Sequence, residues 1–515
     1  MSGPLTPRTI TIVGGGTAGW MTAAALSRFL DGQHWTIRLI ESDAIGTVGV
    51  GEATIPQLHL FNRALGIDEN AFVAATQGTF KLGIAFDGWR ADGHSYMHGF
   101  GSVGRDLGLL PFYHYWLAAR LDRARPDGAA GPDTLDDCTI AAVAGRQGRF
   151  ARPDPAKPAL AGGHNYAFHF DASLYAAFLR QLSEARGVIR HEGRISGFAR
   201  DGATGDVTAA ILADCQAISG DLFIDCSGFA GLLIEQEMAA GFEPWSEWLP
   251  CDRALAVPSA DDHPPLPYTR AMARPAGWQW RIPLQHRTGN GHVYQSAMLS
   301  DDEAAAILLA NLPGEALADP RQLRFTAGRR RAVWVGNVIA IGLSSGFLEP
   351  LESTSIHLIQ SGIERLLKAL PAGRGSDAER AAFNAEAAAE MESIRDFIIL
   401  HYWANGRSEP FWQARRETPL PDSLQQRIDL FRASGRIGDG PGELFTPLAW
   451  QQVMIGQGLL PDAVHPVAAA MDRAQREDFL AMVRRAVAAQ AGTMPTHHAF
   501  IDAHCRSTPG ERLAS

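Results

Sequence analysis

Thr9-Ile10-Thr11-Ile12-Val13-Gly14-Gly15-Gly16-Thr17-Ala18-Gly19-Trp20 decides the fold. Thr9 to Val13 has the length and apolar content of a short buried strand. A glycine-rich turn follows, and an apolar-periodic helix is predicted from Trp20 to Leu30. A second strand is predicted from Trp35 to Ile40, ending in Glu41. In such a strand-turn-helix, Gly14 permits the tight turn and Gly16 lets the backbone approach a pyrophosphate. Gly19 lets helix and strand pack closely, Thr17 and Ala18 lie in the turn, and the helix N-terminus beyond it faces the anion. Glu41 follows at the ~20-residue distance where a carboxylate accepts from a ribose diol. FAD and NAD fit this pattern equally well.

Outward from this unit, strand-like runs recur at Val207–Ala213, Leu222–Cys226 and Val333–Ile341. Stretches rich in Pro, Gly and Asp at Arg125–Pro132, Arg152–Gly163 and Pro258–Pro267 read as loops. Ser376 with Glu379 forms a capping box, opening an alanine-rich helix toward Leu400, and Gln475 to Ala489 is a further helical pattern. The expected organisation is an α/β cofactor portion over 1–360 and a mostly helical portion over 361–515. Across 515 residues, 46% are hydrophobic and 20% charged, which excludes a disordered or fibrous chain. A net charge of −10 argues against nucleic-acid binding. The five cysteines contain no C-x-x-C pair, which argues against a disulfide framework and fits a cytoplasmic protein. There is no apolar run of membrane-spanning length. His497, His498, His504 and Cys505 match no standard ligand spacing, so no metal site is expected.

Four further patterns carry chemistry. Gly49-Val50-Gly51-Glu52-Ala53-Thr54-Ile55-Pro56 is a glycine-rich strap. Thr79-Phe80-Lys81-Leu82-Gly83-Ile84 places a lysine in an apolar run; the chain has only three lysines, the others being Lys157 and Lys368. A primary amine can be deprotonated where arginine cannot, although a lysine snorkelling out of a strand gives the same pattern. Trp278 and Trp280 alternate and therefore share one strand face, which core packing alone would also explain. Glu352 precedes Ser353 and Thr354, both N-cap types, and a helix near Ser355 whose free N–H groups suit an anion; a plain capped helix is the alternative.

These patterns, with His98-Gly99-Phe100-Gly101 and Arg395-Asp396-Phe397-Ile398, resemble the flavin-dependent tryptophan halogenase family from about residue 9 to about residue 460. The resemblance implies a Rossmann-like FAD-binding domain of the hydroxybenzoate-hydroxylase type, with mixed sheets and a mostly helical C-terminal substrate portion. It implies FADH2 supplied by a separate NAD(P)H-dependent flavin reductase, and O2 and chloride or bromide giving hypohalous acid. Lys81 would hold or capture the electrophilic halogen, and Glu352 would stabilise the cationic ring and take its proton. Thr354 and Ser355 would contact halide. Val50, Ala53, Gly342, Leu343 and Pro350 would join the glycine turn around FAD. Trp278 and Trp280 would wall flavin from substrate, and His98, Phe100, Leu444 and Phe445 would line the substrate pocket. The segment from Leu430 to Gln457 contains no tyrosine, which points to indole or an indole-bearing compound rather than free tryptophan. A flavin-dependent aromatic hydroxylase is the alternative enzyme, and a flavin-binding sensor the non-catalytic one.

Overall fold

In a computed structural model, residues 8–45, 51–123, 134–154, 162–371, 374–438, 440 and 442–507 are described. The opening unit forms as its pattern dictates. Strand Arg8–Val13 is followed by helix Thr17–Phe29 and strand Trp35–Glu41. The first strand pairs in parallel with Trp35–Glu41 on one side and Leu222–Asp225 on the other. The sheet has six strands, and Ile189–Glu192 closes one edge. Val333–Ile341 is not one strand: Trp334–Val335 and Val338–Ala340 pair antiparallel. Gly336, at φ 57°, turns the chain between them, a left-handed conformation that favours glycine.

A second, seven-stranded sheet positions the chemistry. Strand Gly83–Asp87 pairs antiparallel with Ser95–Gly99 and in parallel with Thr269–Arg274. Next come Gly277–Pro283, Thr288–Tyr294 and Arg253–Ser259. Pro258 is thus in a strand, and the loop expected over Pro258–Pro267 begins only after Ser259. Side chains alternate between the faces of a strand. Cross-strand pairing therefore puts Phe86, Tyr96, His98, Ala271, Trp278 and Trp280 on the inner face, and Asp87, Arg270, Arg274 and Arg281 on the outer. A three-stranded sheet of Gly51–Ala53, Ala167–Asp171 and Thr79–Lys81 carries the strap and the lysine.

The C-terminal part is helical. In the capping box, Ser376 Oγ accepts from the Glu379 N–H while Glu379 Oε2 accepts from the Ser376 N–H. It opens helix Asp377–Trp403. Helix Arg473–Thr493 extends further at both ends than the predicted Gln475 to Ala489. The histidine-rich tail forms helix His497–His504, and buried His497 Nε2 accepts from the Phe80 N–H at 3.1 Å. One apolar core contains side chains from Ile10 to Cys505, and residue 360 falls inside helix Ser355–Lys368. Among the described residues, no helix is long and apolar enough to cross a membrane.

Candidate active site

The glycine turn is shaped for a dinucleotide. A Cβ on Gly14, at φ 109°, would lie 2.3 Å from the Cys226 carbonyl oxygen, and one on Gly19 would lie 1.8 Å from Gly14 O. Only glycine allows these approaches. A Cβ on Gly16 would meet nothing within 4 Å, so that side of the turn is open to a ligand. Glu41 folds across the turn: Arg190 Nε donates to its Oε1 at 2.5 Å and Trp20 Nε1 to its Oε2 at 3.2 Å. Gly342, at φ 77°, approaches the helix start so closely that a Cβ would lie 2.8 Å from Ala18 Cβ. It opens the short 3₁₀ turn Gly342–Ser344, which includes Leu343, and Pro350 begins another. Ala53 is buried in the strap strand; Val50 lies outside the described residues. The open turn and the backbone groups converging on it fit the pyrophosphate of a dinucleotide.

Lys81 does not snorkel. It is fully buried, and its Nζ donates to Thr54 O at 2.8 Å and Ser353 Oγ at 2.7 Å. The strap following Ala53 thus supplies one acceptor. Ser353, left-handed at φ 58°, supplies the other. Burial lowers the Lys81 amine from its ordinary range to about 7, with the Glu352 charge opposing. The Phe100 ring centroid stands 5.3 Å from Nζ.

Glu352 is also fully buried. Burial alone would raise its carboxyl, but His98 and His401 outweigh this and hold it down to about 2. His98 Nδ1 is 2.9 Å from Oε2. His401 Nε2 stands 2.8 Å from Oε1, an ion-pair contact not aligned as a hydrogen bond. A carbonyl only accepts, so the 2.8 Å contact to Phe397 O requires His401 Nδ1 to carry a proton. Phe397 and His401 lie one turn apart on one helix.

Ser353 and Thr354 do not cap the next helix as their types suggest. Thr354 is the N-cap residue, but neither hydroxyl caps: Ser353 is taken by Lys81, and Thr354 makes no side-chain cap bond. The buried Thr354 Oγ1 has no partner among the described residues. Together with the uncommitted amides of Ser355 and its neighbours at the helix start, it forms a site whose donors fit a small anion.

The remaining expected residues surround this pair. Trp278 Nε1 donates to Glu349 Oε2 at 2.9 Å, and the Tyr402 hydroxyl donates to the same oxygen at 2.5 Å. Burial pushes the Glu349 carboxyl up to about 7. Trp280 packs over Gly291, where a Cβ would stand 2.0 Å from its ring. Phe445 stacks on Phe397 with centroids 3.8 Å apart and lies 6.4 Å from the His98 ring. Leu444 packs with Ile55, Phe100 and Ala167.

Sequence reasoning missed Ser353 as the lysine's partner and His401 as the carboxylate's second imidazole. A signal existed for His401, four residues after Phe397 in the quoted Arg395–Ile398 stretch. None existed for Ser353, whose role depends on a left-handed backbone.

The family model described as tryptophan halogenase matches residues 9–473. Xcc4156, a flavin-dependent halogenase from Xanthomonas campestris, is 48% identical with a TM-score of 0.92, covering 98% of this chain and 99% of that one. BrvH, a flavin-dependent halogenase from Brevundimonas sp. BAL3, is 44% identical with a TM-score of 0.92, covering 96% and 99%. The tryptophan 7-halogenase RebH of Lentzea aerocolonigenes is 34% identical over 96% of this chain and 98% of its own. The chain belongs to the tryptophan halogenase family and is a flavin-dependent halogenase.

Proposed function

We propose that this enzyme uses FADH2 from a separate NAD(P)H-dependent flavin reductase, O2, and chloride or bromide to halogenate indole or an indole-bearing compound in preference to free tryptophan. When bound at the glycine turn, FADH2 would supply the two electrons and two protons that, with O2, halide and one further proton, yield hypohalous acid and water. The amide N–H groups at Thr354 and Ser355, with the Thr354 hydroxyl, hold halide. Lys81 as a neutral amine has two N–H bonds, both directed at Thr54 O and Ser353 Oγ. Its lone pair is then free to attack the halogen of hypohalous acid. An N–halogen bond forms as the O–halogen bond breaks, and the hydroxide takes a proton from the N-haloammonium and leaves as water. The ring carbon next attacks the halogen, and the N–halogen electron pair returns to nitrogen, which regains a proton when Glu352 passes on the one it takes from the ring. Glu352, held ionised between His98 and His401, stabilises the cationic ring and removes its proton, restoring aromaticity.

The observation that carries the substrate class is at the 430–457 segment. A zwitterion needs matched partners when it leaves water. Glu443 in this segment pairs at 2.6 Å with Arg427 just before the segment, Arg427 lying 4.3 Å over the Trp450 ring, and Arg432 lies 5.4 Å over the Trp403 ring. Leu444, Phe445 and Phe397 offer apolar surface instead. With a bare indole, attack is expected at C3, its most nucleophilic carbon. Competition between indole and tryptophan, in the presence of reductase and each halide, tests the reading. Indole is expected to win in kcat/KM. A tenfold preference for tryptophan, about 1.4 kcal/mol, would overturn it.

A further inference from the structure

The outer face of the seven-stranded sheet holds an open cleft of about 490 Å³, lined by Arg270, Arg274, Arg281 and Arg407 with Asp87 and Asp92. Arg270 and Arg281 are direct cross-strand partners, and Arg274 lies on the same face of the same strand as Arg270. Like charges placed opposite one another in a sheet destabilise it, so their partners matter. Arg270 is neutralised by Asp87 at 2.8 Å. Arg407 pairs with Asp92 at 2.9 Å and with Glu409. Arg274 and Arg281 have no carboxylate partner among the described residues. Arg274 donates to Gln279 Oε1 at 2.8 Å and weakly to Ala273 O at 3.4 Å. Arg281 donates to Asn311 O at 2.7 Å, and its buried Nε has no partner among the described residues. Burial, then the neighbouring arginines for Arg274 and Arg270 for Arg281, lowers the affinity of both guanidiniums for their protons, with Asp87 opposing at both and Asp261 at Arg281. In a chain of net charge −10, two guanidiniums without an ion-pair partner among the described residues face one concave space.

We propose that this cleft is a binding site for a phosphate dianion, free or as the terminal phosphate of a small molecule, held between Arg274 and Arg281. Arg274 and Arg281 lack an ion-pair partner among the described residues and offer free N–H donors to one anion, and the guanidinium fork suits phosphate oxygens. The cleft has the volume of a small-molecule site. An acidic polypeptide fits less well, because Asp87 and Asp92 sit in the same cleft and would repel its further carboxylates.

The test is calorimetric titration of the FAD-saturated protein at low salt with inorganic phosphate and, separately, adenosine monophosphate. Saturable 1:1 binding is expected, weakened tenfold or more in the Arg274→Gln/Arg281→Gln double variant, while FAD affinity is unchanged. Tighter binding of adenosine monophosphate would identify a phosphate ester as the ligand; equal binding would identify the free ion. Should the double variant fold poorly, Arg281→Lys keeps the charge, loses the fork and is expected to weaken phosphate severalfold. Absence of saturable binding, equal chloride binding that is lost in the double variant, unchanged affinity in the variants, or tighter arginine-dependent binding of polyglutamate would each overturn the proposal.

Discussion

At Lys81 and Glu352, burial acts in opposite ways on two charges. The amine is lowered to about 7 because desolvation outweighs the nearby carboxylate. The carboxyl is held near 2 because two imidazoles outweigh desolvation. The neutral fraction of Lys81 therefore rises tenfold per pH unit below about 7 and saturates above. Halogenation with reductase in excess is expected to climb through that pH and then level; a flat profile between pH 6 and 8 would contradict the neutral-amine role. Sign matters for stability too. Between about 7 and 10.5 the unfolded chain holds a proton that folded Lys81 lacks, so this group makes stability rise with pH across that window. Lys81→Met is expected to remove that rise in denaturant titrations and to abolish halogenation while FAD still binds. Glu352→Gln keeps the volume but removes the base and the counter-charge of His98 and His401. Its rate is expected to fall by ~10²–10⁴, measured by product mass with hypohalous acid in solution scavenged.

At the scale of elements, close backbone approach sets the geometry. A Cβ on Gly83 would stand 2.4 Å from His98 O, so glycine lets the strand after Lys81 pack against the strand that carries His98. Gly291 likewise admits the Trp280 ring. Gly291→Ala is expected to cost about 1–3 kcal/mol by overpacking and to displace Trp280. If that ring helps confine the oxidant, the ratio of hydrogen peroxide to halogenated product will increase; an unchanged ratio would remove Trp280 from the wall. The opening strand, turn and helix were legible because glycines and apolar period agree locally. The Val333–Ile341 hairpin was not, because its two arms read as one apolar run and its turn is only Gly336-Asn337. The Ser353–Thr354 capping expectation failed because Lys81 claims the Ser353 hydroxyl, while Thr354, the N-cap residue, has a helical backbone (φ −89°, ψ −8°) instead of the extended one that side-chain capping needs.

For the whole molecule, one continuous core joins the cofactor sheets to the C-terminal helices. Helix Asp377–Trp403 reaches into the site and delivers Phe397 and His401. The G-x-G-x-x-G spacing occurs at Gly14–Gly19 and at Gly99–Gly104, but only the first runs from a strand directly into a helix as a dinucleotide fingerprint requires. The purified protein alone is therefore expected to reduce FAD negligibly with NADH or NADPH, and to gain activity when a flavin reductase is added. Rapid reduction by the protein alone, followed by loss of the flavin absorbance, would refute this.

By itself the sequence determined the nucleotide turn, the helical C-terminal part and the candidacy of Lys81 and Glu352. These follow from local propensity, periodicity and spacing, which a linear chain displays. Only the tertiary structure decided that Lys81 is buried with two acceptors, that Glu352 lies between His98 and His401, and that Trp278 is tied to Glu349. Those contacts join residues far apart in the chain: Lys81 to Ser353, and His98 to Glu352. Burial and pairing are properties of the packed interior, and they set which form of each group is charged.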